Sequence, residues 1–471
     1  MNRFVFSSWA AIYAVGAAIV FAASSADAQR SLSDVSSTPP PGQTADTLDV
    51  TLPPPSPQVA PATPTPPLSQ QHLLGDWGGL RPYLDNLGIN LTVDWTTETA
   101  GNPVGGRRQG ITYADQRAVQ LDIDWEKLAG IPGFSTHFAV VNRAGRNLSS
   151  DYIGDDVLQA QEIYGAGFSK AVHDVWLYGE QKLFDGRFDA VFGRVFPGMD
   201  FAASPLYCNF MTLTICGHPR ALTAEQGFID WPANTWGGRV RLRPTAETYV
   251  MGGVYASQPF PSGGPSGFDW SVNHITGAFY VLELGWEPVF GPDHLQGHYK
   301  VGGGYDTSNF TSNTFVPTGP PPTMRGRTQL WITFDQMLFR NGPLPNNGLT
   351  VLGAYVHDTP GNSFYQHFVW LGMLYSGFWK SRPSDQIGLA FTYYQASPNL
   401  TQKESLEAEF DLPPTYPFGV QSHGMVLEAN YQIPIFRGVY VQPELEYFIR
   451  PGGVSSVRNA LVLGLKTHVL F

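Results

Sequence analysis

The chain has 471 residues, of which 13% are aromatic and 14% are charged, and its formal net charge is -11. This negative charge argues against nucleic-acid binding, which requires a basic surface. The length exceeds that of most single soluble β-sandwiches but suits a large β-barrel, and the 51 glycines and many aromatic residues suit strands that are apolar on one face only.

The first 28 residues have the organisation of a secretory signal peptide. Arg3 supplies a positive charge, an apolar run covers residues 9–23, and Ala-Asp-Ala at 26–28 matches the small-x-small cleavage pattern. The run is too short for a retained transmembrane anchor. We therefore predict a signal peptide over residues 1–28 and a mature chain that begins at Gln29.

A proline-rich segment follows over residues 29–72. Proline clusters at 39–41, 53–55 and 64–67 interrupt a background of Ser, Thr and Ala. Such a composition cannot bury a core and is typical of extended or disordered chain. We predict a disordered linker that acts as a spacer.

Order is predicted to begin near Leu73, with a turn and one or two helical turns before the first strand at Ile89. Two segments then alternate apolar and polar residues with a period of two. Their apolar positions are Ile89, Leu91, Val93 and Trp95, then Val119, Leu121, Ile123 and Trp125. The opposite face of the second segment carries the acids Asp122, Asp124 and Glu126, so that face must contact water, which in a barrel is the pore.

The same alternation recurs along the rest of the chain. It predicts about sixteen strands in all, and the further candidates lie near residues 134–140, 175–183, 187–196, 239–243, 247–257, 276–286, 296–306, 327–339, 348–357, 366–378, 385–395, 425–433, 439–449 and 459–471. Short turns are predicted at 185–186, 381–384 and 436–438, and long loops around 144–170, 197–234, 258–274, 307–325 and 397–420. Short turns that alternate with long loops are typical of outer-membrane barrels, whose short turns face the periplasm.

The last segment shows the period of two most clearly. One face consists of Leu461, Leu463, Leu465, Thr467, Val469 and Phe471, whereas the other consists of Ala460, Val462, Gly464, Lys466, His468 and Leu470. An aromatic residue that closes such a strand favours a barrel in which the last strand pairs with the first. We expect Leu463, Leu465 and Val469 to face lipid, and Lys466 and His468 to face water. The competing interpretation is the last strand of a soluble sandwich.

Several short motifs between about Leu73 and Phe471 resemble, in their order, the carbohydrate-selective porins of Gram-negative outer membranes, the OprB type. They are LGDWGGLR at 74–81, EQKLFDG at 180–186, LYCNF at 206–210 with Cys-Gly at 216–217, WGGR at 236–239 and PGG at 451–453. The resemblance implies an all-β fold, a transmembrane antiparallel β-barrel of sixteen strands over residues 73–471. It also implies that sugars, such as glucose and similar polyols, diffuse through the barrel into the periplasm.

Cys208 and Cys216 are the two cysteines of the chain and lie in one predicted loop. An exported protein meets an oxidising compartment, so we predict a disulfide between them. A metal site is weakly indicated, because the two cysteines and nearby His218 lack a fourth ligand. The resemblance implies that this loop folds inward and narrows the pore.

Candidate pore residues follow from the strand alternation. On one strand Trp176, Tyr178, Glu180 and Lys182 are predicted to point inward, with Val175 and Leu177 on the opposite face; on another, Arg239, Arg241 and Arg243 point inward. Charged groups can hydrogen-bond sugar hydroxyls, and aromatic rings can stack on sugar C–H faces. Arg194 shares the parity of lipid-facing Phe188 and Phe192, so it reaches the pore only if a bulge at Gly193 turns it inward. Each of these residues could equally be a solvated pore charge without selectivity.

Functions other than a sugar porin are also compatible with parts of the sequence. The arginine row would also suit a porin that prefers organic acids, or a general porin. The sequence contains no Gly-x-Ser-x-Gly, His-Glu-x-x-His or phosphate-loop motif, so we predict no enzyme activity and no cofactor or metal. A scattered active site on an outer-membrane barrel is the remaining enzyme hypothesis. The predicted partners are transported sugars and outer-membrane lipid, and whether barrels associate with one another is left open.

Overall fold

The strands of this chain form one antiparallel sheet that closes on itself. The computed structural model describes residues 72–163, 172–224, 227–258, 267–342, 344–359 and 361–471. The strands are β1 (Ile89–Gly106), β2 (Ile111–Asp124), β3 (Phe134–Gly145), β4 (His173–Leu183), β5 (Phe188–Val195), β6 (Thr235–Leu242), β7 (Thr248–Ser257), β8 (Gly277–Trp286), β9 (Val289–Phe290), β10 (Leu295–Thr311), β11 (Thr323–Arg340), β12 (Gly348–Asp358), β13 (Tyr365–Ser376), β14 (Gln386–Ala396), β15 (His423–Phe436), β16 (Val439–Ile449) and β17 (Arg458–Leu470). The predicted signal peptide and nearly all of the predicted linker lie outside the described residues.

Helical segments in the described residues are short. The α-helices are α1 (Leu80–Asn86), α2 (Trp125–Ala129), α3 (Arg220–Thr223) and α4 (Pro398–Glu409), and single turns of other helix types cover Ser149–Ile153, Pro197–Met199, Tyr207–Asn209 and Pro451–Gly453. None of the helices found there has the length and apolar character that crossing a membrane would require.

Closure occurs where the last strand meets the first. Asp94 of β1 lies opposite Leu470 of β17, and the other edge of β1 pairs with β2. The wall is also continuous between β8 and β10, which pair with each other. The two-residue β9 lies beside β10 at a turn and does not take part in the wall. The described residues thus form a closed barrel of sixteen antiparallel strands, which leaves no strand edge unpaired and confirms the predicted fold.

The two faces of the wall differ as the alternation predicted. Large apolar side chains are exposed on the outer face, among them Leu282, Leu330, Ile332, Leu371, Leu389, Leu427, Leu445, Leu463 and Leu465. The inner face of the same strands carries buried residues such as Glu283, Trp331 and Val462. An apolar outer band around a polar interior is the arrangement of barrels that cross a membrane.

The alternation failed where a strand ends or bulges. Trp125 and Glu126 were predicted to continue β2, but they begin α2, because the Asp124 carboxylate accepts hydrogen bonds from the N–H groups of Glu126 and Lys127 at 3.0 and 3.3 Å and caps a helix. Val175 was predicted to share the outer face with Leu177. A register shift between β3 and β4 instead buries Val175 in an inner apolar cluster.

The segment before β1 holds the closing strand in place. The Arg81 guanidinium is buried and donates from Nη2 to the Phe471 carbonyl oxygen at 2.8 Å and from Nη1 to the Leu91 carbonyl oxygen at 3.1 Å. The Leu73 N–H donates to the Leu470 carbonyl oxygen at 2.7 Å. The helical turns predicted after Leu73 therefore fasten both sides of the seam between β1 and β17.

We predict that a charge at Leu465 destabilises the barrel. Leu465 lies near the middle of β17 on the exposed outer face, so Leu465→Lys would place an ammonium group in hydrocarbon at a cost of about 2–4 kcal/mol. Unfolding by denaturant in lipid vesicles measures the effect. Leu461→Lys is the matched control, since Leu461 has the same parity near the strand end and should cost about 0–1 kcal/mol. Equal costs for both variants would contradict the orientation of β17.

The predicted loop at 397–420 contains helix α4, and one buried acid there makes the loop sensitive to pH. Burial raises the pKa of Glu404 from 4.5 to about 7, although its Oε2 accepts a hydrogen bond from the Gln421 N–H at 2.7 Å. Folding favours the protonated form of Glu404. The stability that this protonation adds to the loop is fully present below pH 4.5 and is lost as the pH rises through about 7. We expect amide hydrogen exchange in α4, corrected for its intrinsic rate, to accelerate between about pH 5 and about pH 8. Glu404→Gln should abolish that acceleration, and an unchanged pH dependence in this variant would disprove the assignment.

Candidate functional site

The segment between β5 and β6 folds into the barrel. We call residues 196–234 the constriction loop, of which all but 225 and 226 are described. Its Cys208 and Cys216 form a disulfide, as predicted, with their Cα atoms 4.2 Å apart. The loop is largely buried, with Phe201, Phe210 and Phe228 fully enclosed, so it occupies the barrel interior and confirms the inward fold that the resemblance implied.

Carboxylates on the wall hold the backbone of this loop. Glu283 of β8 accepts a hydrogen bond from the Ala202 N–H at 2.7 Å. Glu428 of β15, only 4% exposed, accepts from the N–H groups of Met211 at 2.8 Å and Thr212 at 3.3 Å. Each of these bonds gives a partner to a backbone N–H that is buried away from water. The loop is thus fastened to the wall at two places, on β8 and on β15.

Lys466 supplies a third anchor and corrects one prediction. It points inward as expected but is only 2% exposed, so it does not face water. Its ammonium contacts the Glu162 carboxylate at 2.9 Å and donates to the Cys208 carbonyl oxygen at 3.1 Å. Glu98 lies directly opposite it in the register of β1 and β17. The alternation gave the correct face, but the packing of the loop decides what that face contacts.

Aromatic contacts press the loop against one side of the barrel. Phe210 and Tyr207 meet Trp370 of β13 with ring centroids 5.1 and 5.8 Å apart, and Phe228 meets Trp331 of β11 at 5.9 Å. These edge-on arrangements are favourable for aromatic pairs. The loop therefore covers the inner face of the later strands, and the inner face of β2–β6 remains partly exposed.

Charged side chains concentrate on that partly exposed wall. We call them the charge cluster, and its members are Asp122, His137, Glu180, Lys182, Asp189, Asp200, Arg239 and Arg241. Arg239 lies at its centre: Nε donates to Asp200 at 3.0 Å, Nη1 donates to Asp189 at 2.5 Å, and Nη2 lies 3.6 Å from Glu180. Asp200 belongs to the constriction loop, so the loop and the wall meet at this guanidinium.

The Glu180 carboxylate extends the cluster along β4. Its Oε2 accepts a hydrogen bond from Lys182 Nζ at 2.8 Å and lies 3.6 Å from His137 Nε2. On the other side of its ring, His137 Nδ1 lies 2.6 Å from Asp122 Oδ1. The Lys182 side chain is 51% exposed, whereas that of Arg239 is 4% exposed. Exposure to solvent therefore increases across the cluster, from the enclosed Arg239 to the half-exposed Lys182.

Two predicted aromatic residues border the charges. The Tyr178 ring stacks on His137 with centroids 4.6 Å apart. Trp176 lies between the two ends of the constriction loop. Its ring centroid is 6.2 Å from that of Phe196 and 5.3 Å from that of Trp231. Both aromatic rings are partly exposed, so they offer apolar faces beside the polar groups.

Of the predicted arginines, Arg241 joins the cluster and Arg194 does not. Arg241 Nη2 donates to Asp189 at 2.5 Å. The described register of β5 with both neighbours is continuous through Gly193, without the bulge that would turn Arg194 inward. Arg194 is instead fully buried near the loops and donates from Nη2 to the Asp269 carbonyl oxygen at 3.1 Å.

Glu180 and Arg239, two predicted pore residues of opposite charge, are neighbours in the structure. They lie on β4 and β6, which flank β5, and their nearest polar atoms are 3.6 Å apart on the same wall. Opposite charges this close largely cancel at a distance. The cluster therefore has little long-range field, and what it offers a solute is hydrogen bonding at short range.

Several members of the cluster were missed from the sequence. Asp189 alternates with Phe188 and Ala190 in β5, and His137 alternates with Thr136 and Phe138 in β3, so the period of two places both inside. Asp200 follows a strand, has no periodicity, and reaches Arg239 only because the loop turns inward. Its role needed the tertiary structure.

One grouping of acids and cysteines in the described residues has the spacing of a metal site. A carboxylate oxygen of Glu162 and the sulfurs of Cys208 and Cys216 lie within 4.8 Å of one another. Both sulfurs belong to the disulfide and offer no thiolate. This grouping therefore does not match the donor set that zinc prefers.

The arrangement suits an uncharged solute with many hydroxyl groups. Carboxylates accept hydrogen bonds from hydroxyls, Lys182 and the arginines donate to them, and the rings of Tyr178 and Trp176 offer flat apolar surfaces. Acidic and basic groups occur in nearly equal number and are paired with one another. Such a surface has many hydrogen-bonding groups but little net charge to attract a single ion.

Comparison with known proteins agrees with this picture. The family described as "Carbohydrate-selective porin, OprB family" matches residues 108–471. The chain is 30% identical over 420 residues to "Porin B" of Pseudomonas aeruginosa, covering 85% of this chain and 91% of that protein, and 27% identical over 419 residues to "Putative porin QuiX" of Acinetobacter baylyi, covering 85% and 93%. The high-pH structure of Pseudomonas putida OprB superposes with a TM-score of 0.78 at 28% identity, covering 85% of this chain and 98% of that one.

Proposed function

The chain belongs to the OprB family of carbohydrate-selective porins, and we propose that the charge cluster, with Tyr178 and Trp176, is where it recognises a sugar in its pore. The protein is a carbohydrate porin of the Gram-negative outer membrane, a closed barrel of sixteen strands whose short turns face the periplasm. What remains to be assigned is which side chains contact the solute.

One observation carries the proposal: the constriction loop covers the later strands and leaves polar side chains partly exposed on β3, β4 and β6. Glu283, Glu428 and Lys466 are buried because they hold the loop. Lys182, Arg241 and His137 retain exposed surface beside it. A solute that passes the loop must therefore pass the charge cluster.

The pairing of the arginines favours neutral sugars over organic acids. Arg239 and Arg241 both bond Asp189, and Arg239 also bonds Asp200. An anion would have to compete with these carboxylates and would meet Glu180 nearby. A sugar can add hydroxyl donors and acceptors around the existing pairs without separating them.

Ring stacking gives the proposal its first test. Replacing Tyr178 by leucine removes the ring beside His137 and should weaken sugar binding by about two- to tenfold, the value of one aromatic contact of about 0.5–1.5 kcal/mol. Tyr178→Phe keeps the ring and is the matched control. The measurement is the block of single-channel ion current by glucose in planar bilayers.

The outcomes separate the proposed site from a pore that only selects by size. Weaker block in Tyr178→Leu and near-normal block in Tyr178→Phe would support stacking on this ring. Identical glucose dependence in both variants and the unaltered protein would remove Tyr178 from the site. Reversal potentials in a salt gradient, measured on the same channels, test the rival hypothesis of an anion-preferring porin.

A further inference from the structure

A groove with a volume of about 860 Å³ lies on the outer surface of the barrel, over strands β14–β17. Its walls are apolar side chains that alternate to the outer face: Ile387, Ala429, Leu445 and Leu463, together with Pro443. The groove faces away from the pore and is separate from the charge cluster.

A small residue among larger ones creates the depression. Ala429 of β15 lies directly between Leu389 of β14 and Leu445 of β16 in the sheet register. Both leucines are close to half exposed and stand out from the wall. The missing side-chain volume at Ala429 therefore leaves a channel that follows the strands.

Aromatic residues close one end of the groove. The turn between β13 and β14 places Phe378 and Trp379 there, with Phe378 5.5 Å from Trp379 and 6.0 Å from Tyr431 between ring centroids. Trp379 is 56% exposed in spite of its size. This connection lies at the same end of the barrel as the two-residue turn between β15 and β16, and such short turns mark the periplasmic surface, where tryptophan and tyrosine occupy the level of lipid head groups.

Two basic residues adjoin the aromatic end. Trp379 and Arg382 form an isolated antiparallel bridge across the turn, so their side chains leave it on the same side. Arg382 is held by Asp385, to which its Nε donates at 2.7 Å, and it keeps 47% of its side-chain surface exposed. Lys380 lies between them in sequence, is exposed, and forms no ion pair with any residue that the structure describes.

We propose that this groove binds one glycerophospholipid of the periplasmic leaflet. An acyl chain lies along Ala429, Leu445 and Leu463, and the phosphate lies against Lys380 and Arg382. Charge complementarity selects this occupant, since the groove joins an apolar channel to a basic end at head-group depth. A second copy of the chain would have to present an acidic group to the same lysine and arginine.

Native mass spectrometry with phosphatidylglycerol as the added lipid tests the proposal. The full-length protein is purified in mild detergent, and the fraction of barrels that retain lipid is measured against lipid concentration. Ala429→Phe fills the groove, and Lys380→Glu reverses a charge without breaking any contact described in the structure. The matched controls are Ala190→Phe on the outer face of β5 and Lys127→Glu in α2 at the same end of the barrel.

We expect the unaltered protein and both controls to retain one phosphatidylglycerol, Ala429→Phe to lose it, and Lys380→Glu to bind about fivefold more weakly. Channel conductance of Ala429→Phe shows that the variant still folds. Retention by Ala429→Phe equal to that of Ala190→Phe would overturn the proposal. So would an unaltered protein that associates through this face and carries no lipid, which would identify the groove as an interface between copies.

Discussion

Replacing Lys466 by alanine is expected to release the constriction loop and raise the single-channel conductance. The ammonium joins Glu162 at 2.9 Å and the Cys208 carbonyl oxygen at 3.1 Å, in a site that excludes water. Its removal leaves Glu162 and the opposite residue Glu98 without their cation. Breaking a buried ion pair in this way costs about 3–5 kcal/mol, so the loop should detach from this part of the wall.

A second variant distinguishes loss of the pair from loss of the side chain. In the double variant Glu162→Gln with Lys466→Met, Glu162 no longer leaves an uncompensated charge but Glu98 still does, so we expect conductance and stability to return in part. Leu465→Ala changes the adjacent, outward-facing residue of β17 and should leave the conductance unaltered. Normal conductance in Lys466→Ala would show that the other anchors, Glu283 and Glu428, suffice to hold the loop.

Replacing Arg239 by alanine is expected to abolish most of the sugar-dependent block of ion current. The guanidinium contacts Asp189, Asp200 and Glu180 and organises the acceptors around it. Its loss removes the charged hydrogen bonds, each worth about 1.5–3 kcal/mol, that hold Asp189 and Asp200 in place, so the acceptors beside the sugar should lose their arrangement and the affinity for glucose should fall. Three carboxylates are then left without their shared cation, so the reversal potential should shift toward cation selectivity.

Two companion variants make the result specific to this position. Arg239→Lys keeps the charge but loses the planar fork of donors, so we expect intermediate block and little change in ion selectivity. Arg243→Ala removes the last arginine of the predicted row, which pairs with Glu287 at 2.8 Å outside the cluster, and should leave glucose block unaltered. Equal effects of Arg239→Ala and Arg243→Ala would mean that the arginine row acts only through its overall charge.

The same wall shows how far a period of two can be trusted. It correctly placed Tyr178, Glu180, Arg239 and Arg241 inside, because alternation in a strand is imposed by the backbone itself. It failed at Val175, where a bulge shifts the register, and it could not anticipate Asp200, which no strand carries. It also predicted the face of Lys466 correctly while missing that the residue is buried.

By itself, the sequence determined the barrel, the number of its strands, the outward face of several of them, the disulfide and the family to which the chain belongs. These depend on local alternation, on turn composition and on short motifs, all of which can be read along the chain. Only the tertiary structure decided which inward residues anchor the loop and which border the open pore. That division depends on the path of the constriction loop, whose contacts join Met211 to Glu428 and Cys208 to Lys466 across more than 200 residues. Contacts between segments so distant follow from packing in three dimensions and leave no periodic signal in either segment.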